Sequence, residues 1–281
     1  MEPLELEDQF VTTEAGYQLH YQSAGTGEPL IFLHGGGPGA TSFGNFYYNA
    51  PAFLEQYQCF FYNMPGYGQS SKLVVEAPMY SFHASVLAEF MDLVGIPRAH
   101  LVCQSFGGCA AIKLAIDHPE RINKLILMGA QPMFGGVIDP LKLMSKHAAN
   151  IILDYYGGDG PTPEKMRRLL ADYEMHDDSK LTDWTVNDRF ANSTDPELLE
   201  VARTPGFMGQ PESLLGDLHR NVVPTLCLWG LHDWFGGPDV PLLFLNQFAN
   251  AQLFIEGQGA HHWQTELPER FNRVVLSYLS E

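Results

Sequence analysis

Ser105, Asp233 and His261 have the residue types, and stand in the order, that nucleophilic hydrolysis can use. A serine hydroxyl is a poor nucleophile by itself. It needs a base to take its proton, a carboxylate to hold that base, and donors for the oxyanion it creates. Ser105 closes the apolar run His100-Leu101-Val102-Cys103-Gln104 and is followed at once by Phe106-Gly107-Gly108 and a helical pattern. That is the layout of a nucleophile elbow, a strained turn that lifts the hydroxyl out of a sheet to the positive end of the next helix. Asp233 follows Trp229-Gly230-Leu231-His232, and His261 lies in Gly257-Gln258-Gly259-Ala260-His261-His262-Trp263. Each therefore sits just after a predicted strand. The oxyanion donors are expected from the N–H groups of Gly36 and Phe106. The run His34-Gly35-Gly36-Gly37 follows a strand, and no Cβ obstructs the approach to its backbone.

The elements that must position these residues alternate along the chain. An edge hairpin is expected around Gly16. A buried strand is expected at Pro29–Leu33, and further strands at Cys59–Tyr62, Leu101–Val102, Lys124–Met128, Thr225–Trp229 and Gln252–Ile255. Helical spacing covers 81–94, 107–116 and 268–279. This alternation predicts an α/β fold, a mostly parallel sheet with helices on both faces. Residues 132–217 break the pattern. They carry no convincing buried strand, and helical segments are expected near 140–155, 163–174, 179–190 and 196–203. The reading is a core of 1–131 and 218–281 with a helical cap, 132–217, inserted over the carboxyl edge of the sheet, where open α/β sheets place their ligands.

Composition limits the partners. The 281 residues carry 33 acidic against 16 basic side chains, a formal net charge of −17. This disfavours nucleic acid or an anionic membrane as partner. No apolar run approaches a membrane span, and the acidic N-terminus lacks the order of a signal peptide. Cys59, Cys103, Cys109 and Cys227 show no metal-ligand spacing and read as buried reduced thiols, which suits the cytoplasm. The histidines are not paired with carboxylates at metal-binding spacing, and no dinucleotide fingerprint follows the first buried strand, so no metal and no cofactor are expected. His34 reads as a support of the glycine loop. The aromatic residues Phe43, Phe46, Tyr47 and Tyr48 fit either an apolar half-site or core packing.

Over nearly its whole length the chain resembles the α/β-hydrolase superfamily, and within it the meta-cleavage product hydrolases, which break a carbon–carbon bond in ring-opened aromatic and steroid metabolites. The likeness is carried by Leu33-His34-Gly35-Gly36-Gly37-Pro38-Gly39-Ala40, by Pro65-Gly66-Tyr67-Gly68-Gln69-Ser70, and by Ser105-Phe106-Gly107-Gly108. Lys124–Gly129, Trp229-Gly230 with Asp233, and Phe271-Asn272 add to it. The resemblance implies a triad of Ser105, Asp233 and His261. His261 stands at the family distance from Glu266 and Phe271, whereas His262 needs a one-residue shift. It also implies substrate contacts from Gly35, Asn45, Gln104, His262 and Trp263, and a cap arginine, Arg189, that pairs with the carboxylate of an anionic dienoate. A homo-oligomer, dimer or higher, is implied as well. The chain departs from the family pattern at Cys103, which replaces the first glycine of the elbow, at Gln104 for asparagine, at His262 for tryptophan, and at Asn63 for an aspartate common in the superfamily. The expected reaction is carbon–carbon hydrolysis of a 2-hydroxy-6-oxo-2,4-dienoate, with ester or lactone hydrolysis as the alternative. An intact Ser-Asp-His set argues against a catalytically silent binding module.

Overall fold

The computed structural model describes residues 4–132 and 153–281. Eight strands form one sheet: β1 (Asp8–Thr12), β2 (Gln18–Ala24), β3 (Glu28–Leu33), β4 (Tyr57–Tyr62), β5 (Ala99–Gln104), β6 (Ile122–Met128), β7 (Thr225–Gly230) and β8 (Ala251–Glu256). Their order is β1-β2-β4-β3-β5-β6-β7-β8. β1 and β2 form the expected hairpin, and β2 pairs antiparallel with β4. From β4 through β8 every pairing is parallel. The helices are α1 (Ser42–Phe46), α2 (Ala50–Leu54), α3 (Met79–Leu93), α4 (Phe106–Asp117), α5 (Pro163–Leu169), α6 (Asp183–Ser193), α7 (Pro196–Val201), α8 (Asp239–Gln247), α9 (Trp263–Glu266) and α10 (Pro268–Ser280). The fold class read from the sequence is the one observed.

Alternation along the central strands divides the core in two. Leu33, Leu101, Cys103 and Leu127 face α3 and α4 on one side of the sheet. Phe32, Val102, Ile126 and Met128 face α2 and α10 on the other. A strand buried on both faces reads as a continuous apolar run, which is why β3, β5 and β7 were visible in the sequence. Cys103 joins Cys109 of α4 in the first cluster. The thiol thus fills space where the elbow pattern has glycine, and the turn survives the replacement. All four cysteines are buried and unpaired, as expected. α1, α2, α8 and α9 lay outside the sequence reading. The first two are five residues each, and α9 is four, too short to carry a helical period.

The segment between β6 and β7 contains no strand among its described residues. Its helices start on side-chain caps. Thr162 accepts from the Lys165 N–H, Thr182 from Thr185, and Asp195 from Glu197 and Leu198. Each such cap satisfies an orphan donor and stabilises a helix by ~1 kcal/mol. Tyr155, Met166, Leu169, Leu170, Met175, Leu181 and Val186 form a separate small core. The helix expected near 140–155 lies outside the described residues up to position 152. The parts of the 163–174, 179–190 and 196–203 expectations that are helical are α5 with one wider turn at Leu170–Glu174, α6 and α7. No helix among the described residues is long and apolar enough to cross a membrane.

Candidate active site

Ser105 stands at the junction of β5 and α4 with φ 50° and ψ −115°, the only non-glycine residue at positive φ among the described residues. Such a backbone costs ~1–3 kcal/mol and persists only where its surroundings hold it. Three contacts do so. The Ser105 N–H donates to the Met128 carbonyl at 2.7 Å, and its carbonyl accepts from Cys109 N–H at 3.1 Å. A Cβ on Gly107 would stand 2.5 Å from the His34 carbonyl oxygen, so the helix approaches the glycine loop as closely as it does only because residue 107 has none.

His261 and Asp233 meet in the next layer. Nδ1 of His261 bonds Oδ2 of Asp233 at 2.7 Å, and both side chains are buried. The second carboxylate oxygen accepts from the Phe235 N–H at 2.8 Å, which fixes its orientation. The two loops are also tied by backbone, since His232 N–H donates to the Gly259 carbonyl at 3.0 Å. The imidazole rests on Gly129, whose Cβ would meet His261 Cε1 at 2.8 Å; Gly129 has φ +61° and directly follows Met128, the acceptor for Ser105. Ser105 and His261 are thereby brought to the ends of adjacent strands, although no hydrogen bond joins their side chains. Burial lowers the basicity of the imidazole. The Asp233 charge and hydrogen bond, with Glu174 beyond, outweigh it and lift the His261 pKa above its ordinary value. Nδ1–H toward Asp233 leaves Nε2 as the basic nitrogen.

The oxyanion donors expected from the sequence are adjacent and free. A Cβ on Gly36 would lie 3.1 Å from Phe106 Cβ. Neither N–H has a partner among the described residues. Tyr67 Oη donates to the Gly36 carbonyl at 3.3 Å and so orients that peptide. His34 has the supporting role read for it. Its Nε2 accepts from Met64 N–H at 3.1 Å, so Nδ1 carries the proton and donates to the Gly35 carbonyl at 2.7 Å. Burial drives its pKa down to about 4, which keeps the ring neutral. Asn63, in place of an acid, accepts from Ser42 N–H at 2.8 Å and reaches His20 at 2.8 Å. It braces the α1 entry, away from the serine.

A polar network continues from the elbow. Asn45 Nδ2 donates to Gln104 Oε1 at 3.2 Å, and Gln104 Nε2 reaches the His261 carbonyl at 3.4 Å. Gly35 lacks the Cβ that would collide with the Gln104 amide. His262 Nε2 lies 3.1 Å from Glu174 Oε2, and its Nδ1 faces Gln264 Nε2 at 3.3 Å. Gln104 Nε2 lies 3.3 Å from His262 Nε2, so an amide nitrogen faces each nitrogen of the ring. Burial pushes the His262 pKa down to about 3 despite that carboxylate. His262 is therefore neutral, and it is His261 that pairs with Asp233.

Two expectations meet something the sequence did not announce. Arg189 is 3 % exposed and points into the site, but both terminal nitrogens bond Glu174, at 3.1 Å each, and Nε donates to the Pro38 carbonyl at 2.7 Å. Its charge is met within the protein. Burial raises the Glu174 carboxyl, but the facing Arg189 charge and its hydrogen bonds win, and its pKa falls below the usual range. Trp263 is corrected outright. It is fully buried between Phe254 and Phe271 in the core on the far face of the sheet and does not reach the pocket. Phe43 and Phe46 likewise pack on Phe61 and Phe32. Glu174 had a signal. It follows Leu170 by four positions, on the buried side of a helical segment, and a buried carboxylate needs a cation.

A family profile described as the α/β-hydrolase fold matches residues 28–266. A 2-hydroxy-6-oxononadienedioate/2-hydroxy-6-oxononatrienedioate hydrolase of Burkholderia vietnamiensis is 34 % identical over 267 residues, 93 % of this chain and 91 % of that one. A 2-hydroxy-6-oxo-6-phenylhexa-2,4-dienoate hydrolase of Burkholderia cepacia is 30 % identical over 95 % of this chain and 92 % of its own length. Among solved structures, the meta-cleavage product hydrolase of Pseudomonas fluorescens IP01 superposes with a TM-score of 0.81 at 26 % identity, covering 98 % of both chains.

Proposed function

We propose, from the premise that this chain belongs to the α/β-hydrolase family and to its meta-cleavage product hydrolases, that it hydrolyses a carbon–carbon bond in a 2-hydroxy-6-oxo-2,4-dienoate. The observation that carries the reading is the strained Ser105 turn, held on Met128, beside a buried His261–Asp233 pair at 2.7 Å.

In this reading the dienol first ketonises, which leaves an electron-accepting carbonyl conjugated to the bond that will break. Nε2 of His261 takes the Ser105 proton as Oγ attacks the distal 6-oxo carbon. The N–H groups of Gly36 and Phe106 receive the oxyanion, in a site whose donors are preorganised and need no reorientation. Collapse of that oxyanion breaks the carbon–carbon bond. The electron pair passes into the conjugated ketone, and His261 returns the proton to the departing fragment, which leaves as a 2-hydroxypentadienoate. Water, deprotonated by His261, then releases the acyl group from Ser105 as a carboxylic acid. Asn45 and Gln104 hold the oxo end of the substrate, with Gly35 leaving room for the amide. The segment 132–217, whose described part is largely helical, acts as the cap over the reacting bond. No cofactor enters any step.

The test is loss of the dienoate chromophore with one carboxylic acid and one hydroxypentadienoate released per turnover. Retention of near-full turnover by Ser105→Ala would end the assignment. Glu174 on Arg189 favours a second reading, ester or lactone hydrolysis by the same serine, because an ester needs no cation. Fast aryl-ester cleavage with an unchanged dienoate would select it.

A further inference from the structure

We propose that Glu174 is an exchangeable internal partner of Arg189: it occupies the guanidinium fork until the dienoate carboxylate takes its place, and the displaced Glu174 then takes up a proton from solvent. The inference rests on the dienoate reading above and says how this pocket admits that anion.

The pair is built into the pocket. Glu174, Arg189, Asn45 and His262 line one cleft, and Asn45 bonds Gln104, the residue before Ser105. Glu174 and Arg189 are each 3 % exposed. A Cβ on Gly37 would stand 2.6 Å from Arg189 Nη2 and 2.9 Å from Glu174 Oε1, so the pair lies against the loop that carries Gly36. Each carboxylate oxygen of Glu174 accepts from one terminal nitrogen of Arg189, both at 3.1 Å. That is the two-bond grip by which arginine holds a carboxylate. Nε is given to the Pro38 carbonyl. The two N–H groups that remain, one on each terminal nitrogen, diverge. A second carboxylate can therefore be gripped by two bonds only on the face that Glu174 occupies.

Exchange requires one side chain to turn. Glu174 closes the wider turn Leu170–Glu174, and its backbone stays tied because its carbonyl accepts from His262 N–H at 2.9 Å. Once displaced, the Glu174 carboxylate shares a buried cleft with that of the substrate. Two carboxylates in one buried site drive one of them to its protonated form. A carboxylic acid has both a donor and an acceptor, so His262 Nε2, 3.1 Å from Oε2, can pair with it in either tautomer. The charged and titratable groups that face Glu174 are Arg189, His262 and His261, with Asp188 on the same cleft wall. Of these, Arg189 holds Glu174 ionised, with a pKa below the usual range. Burial keeps His262 neutral, and Asp188 adds an acid that favours protonation. When Arg189 turns to the substrate, the Glu174 pKa rises. Binding then consumes a proton, and affinity for the anion falls as pH rises.

The probes are 2,4-hexadienoate and 2,4-hexadienamide, matched in shape and different in charge. Calorimetry in buffers of different ionisation enthalpy measures affinity and proton uptake on the intact protein and on Glu174→Gln. With the acid, the wild type is expected to take up more protons than the variant, by a difference approaching about one at the acid end. His261 is present in both, so protons that it binds cancel. The amide is expected to show no such difference. The wild-type dissociation constant for the acid should rise several-fold from about pH 6 to about pH 8, where the probe stays ionised. In Glu174→Gln the rise is smaller, and at the alkaline end the acid binds about tenfold or more tightly than in the wild type, because no carboxylate has to leave the fork. Thermal melting checks that the variant is folded, and Glu174→Met repeats the measurement if the glutamine is not. Equal proton uptake in the wild type and a folded variant, or no binding of the acid by the wild type at any of these pH values, overturns the proposal. Loss of the dienoate colour on the wild type is scored separately. Its failure would strike the carbon–carbon assignment and leave the exchange to stand or fall on the proton count.

Discussion

At Ser105 the backbone and the hydroxyl make opposite demands. The turn at φ 50° exposes Oγ but strains every residue with a Cβ. Ser105→Ala keeps the strain and loses the nucleophile, so turnover is expected to fall by roughly three to six orders of magnitude with the melting temperature nearly unchanged. Ser105→Gly loses activity equally but relieves the strain. It should be more stable than the alanine variant by about 1 kcal/mol, measured by denaturant unfolding. The same scale governs pH. The His261 pKa is raised above 6.5 chiefly against burial, by Asp233. The base must be neutral to accept the serine proton, so kcat/KM is expected to rise with pH along an acid limb centred above 6.5. Asp233→Asn should move that limb to lower pH and cut kcat by about 10⁴. A limb that stays in place in the asparagine variant would show that Asp233 does not set the titration.

The elements show what could be read in advance and what could not. β3, β5, β6 and β7 were legible because strands buried on both faces leave unbroken apolar runs, and Ser105, Asp233 and His261 were legible because each follows a predicted strand, Ser105 directly and the other two after a short turn. Contacts between elements were not. Trp263 is one residue beyond His262, yet the start of α9 turns it into the far core between Phe254 and Phe271. Glu174 and Arg189 belong to different helical segments and meet only after both fold. Glu266 is a further residue of this kind. From α9 its Oε1 accepts from His176 and Asp177 N–H at 2.6 and 2.8 Å, and its Oε2 from Ala260 N–H at 2.8 Å. One carboxylate thus ties the inserted segment to the loop that carries His261. Glu266→Ala leaves three donors without their acceptor, two of them at partly exposed positions that water can reach. A loss of about 2–3 kcal/mol is expected in denaturant unfolding, with kcat reduced as the His261 loop loosens. A variant with wild-type stability would show that the strap carries no load. Gly129→Ala tests the end of β6 in the same way. At φ +61°, with a Cβ 2.8 Å from the His261 ring, it is expected to lower kcat through the displaced imidazole.

Over the whole molecule the charge balance opposes the substrate that the family takes. A formal charge of −17 surrounds a pocket in which Arg189, the one arginine among the described lining residues, is already paired with Glu174. The long-range field therefore repels an anionic dienoate, and among the described lining residues no unpaired cation compensates. Electrostatic steering usually makes salt slow an encounter; here the sign is reversed. The Debye length falls from ~30 Å at 0.01 M to ~10 Å at 0.1 M salt, so added salt should screen the repulsion between exposed acids and the incoming anion. The kcat/KM for a dienoate is expected to rise several-fold over that range, while that for the corresponding amide stays flat. The effect should lie in the association rate, since kcat is set by buried groups that salt screens little. In Glu174→Gln the absolute affinity for the acid changes but the salt slope does not, because a single buried charge contributes little to a field summed over 33 acids and 16 bases. A dienoate kcat/KM that fell with salt would mean that a local positive field guides the anion inward and that the paired guanidinium opens before substrate arrives.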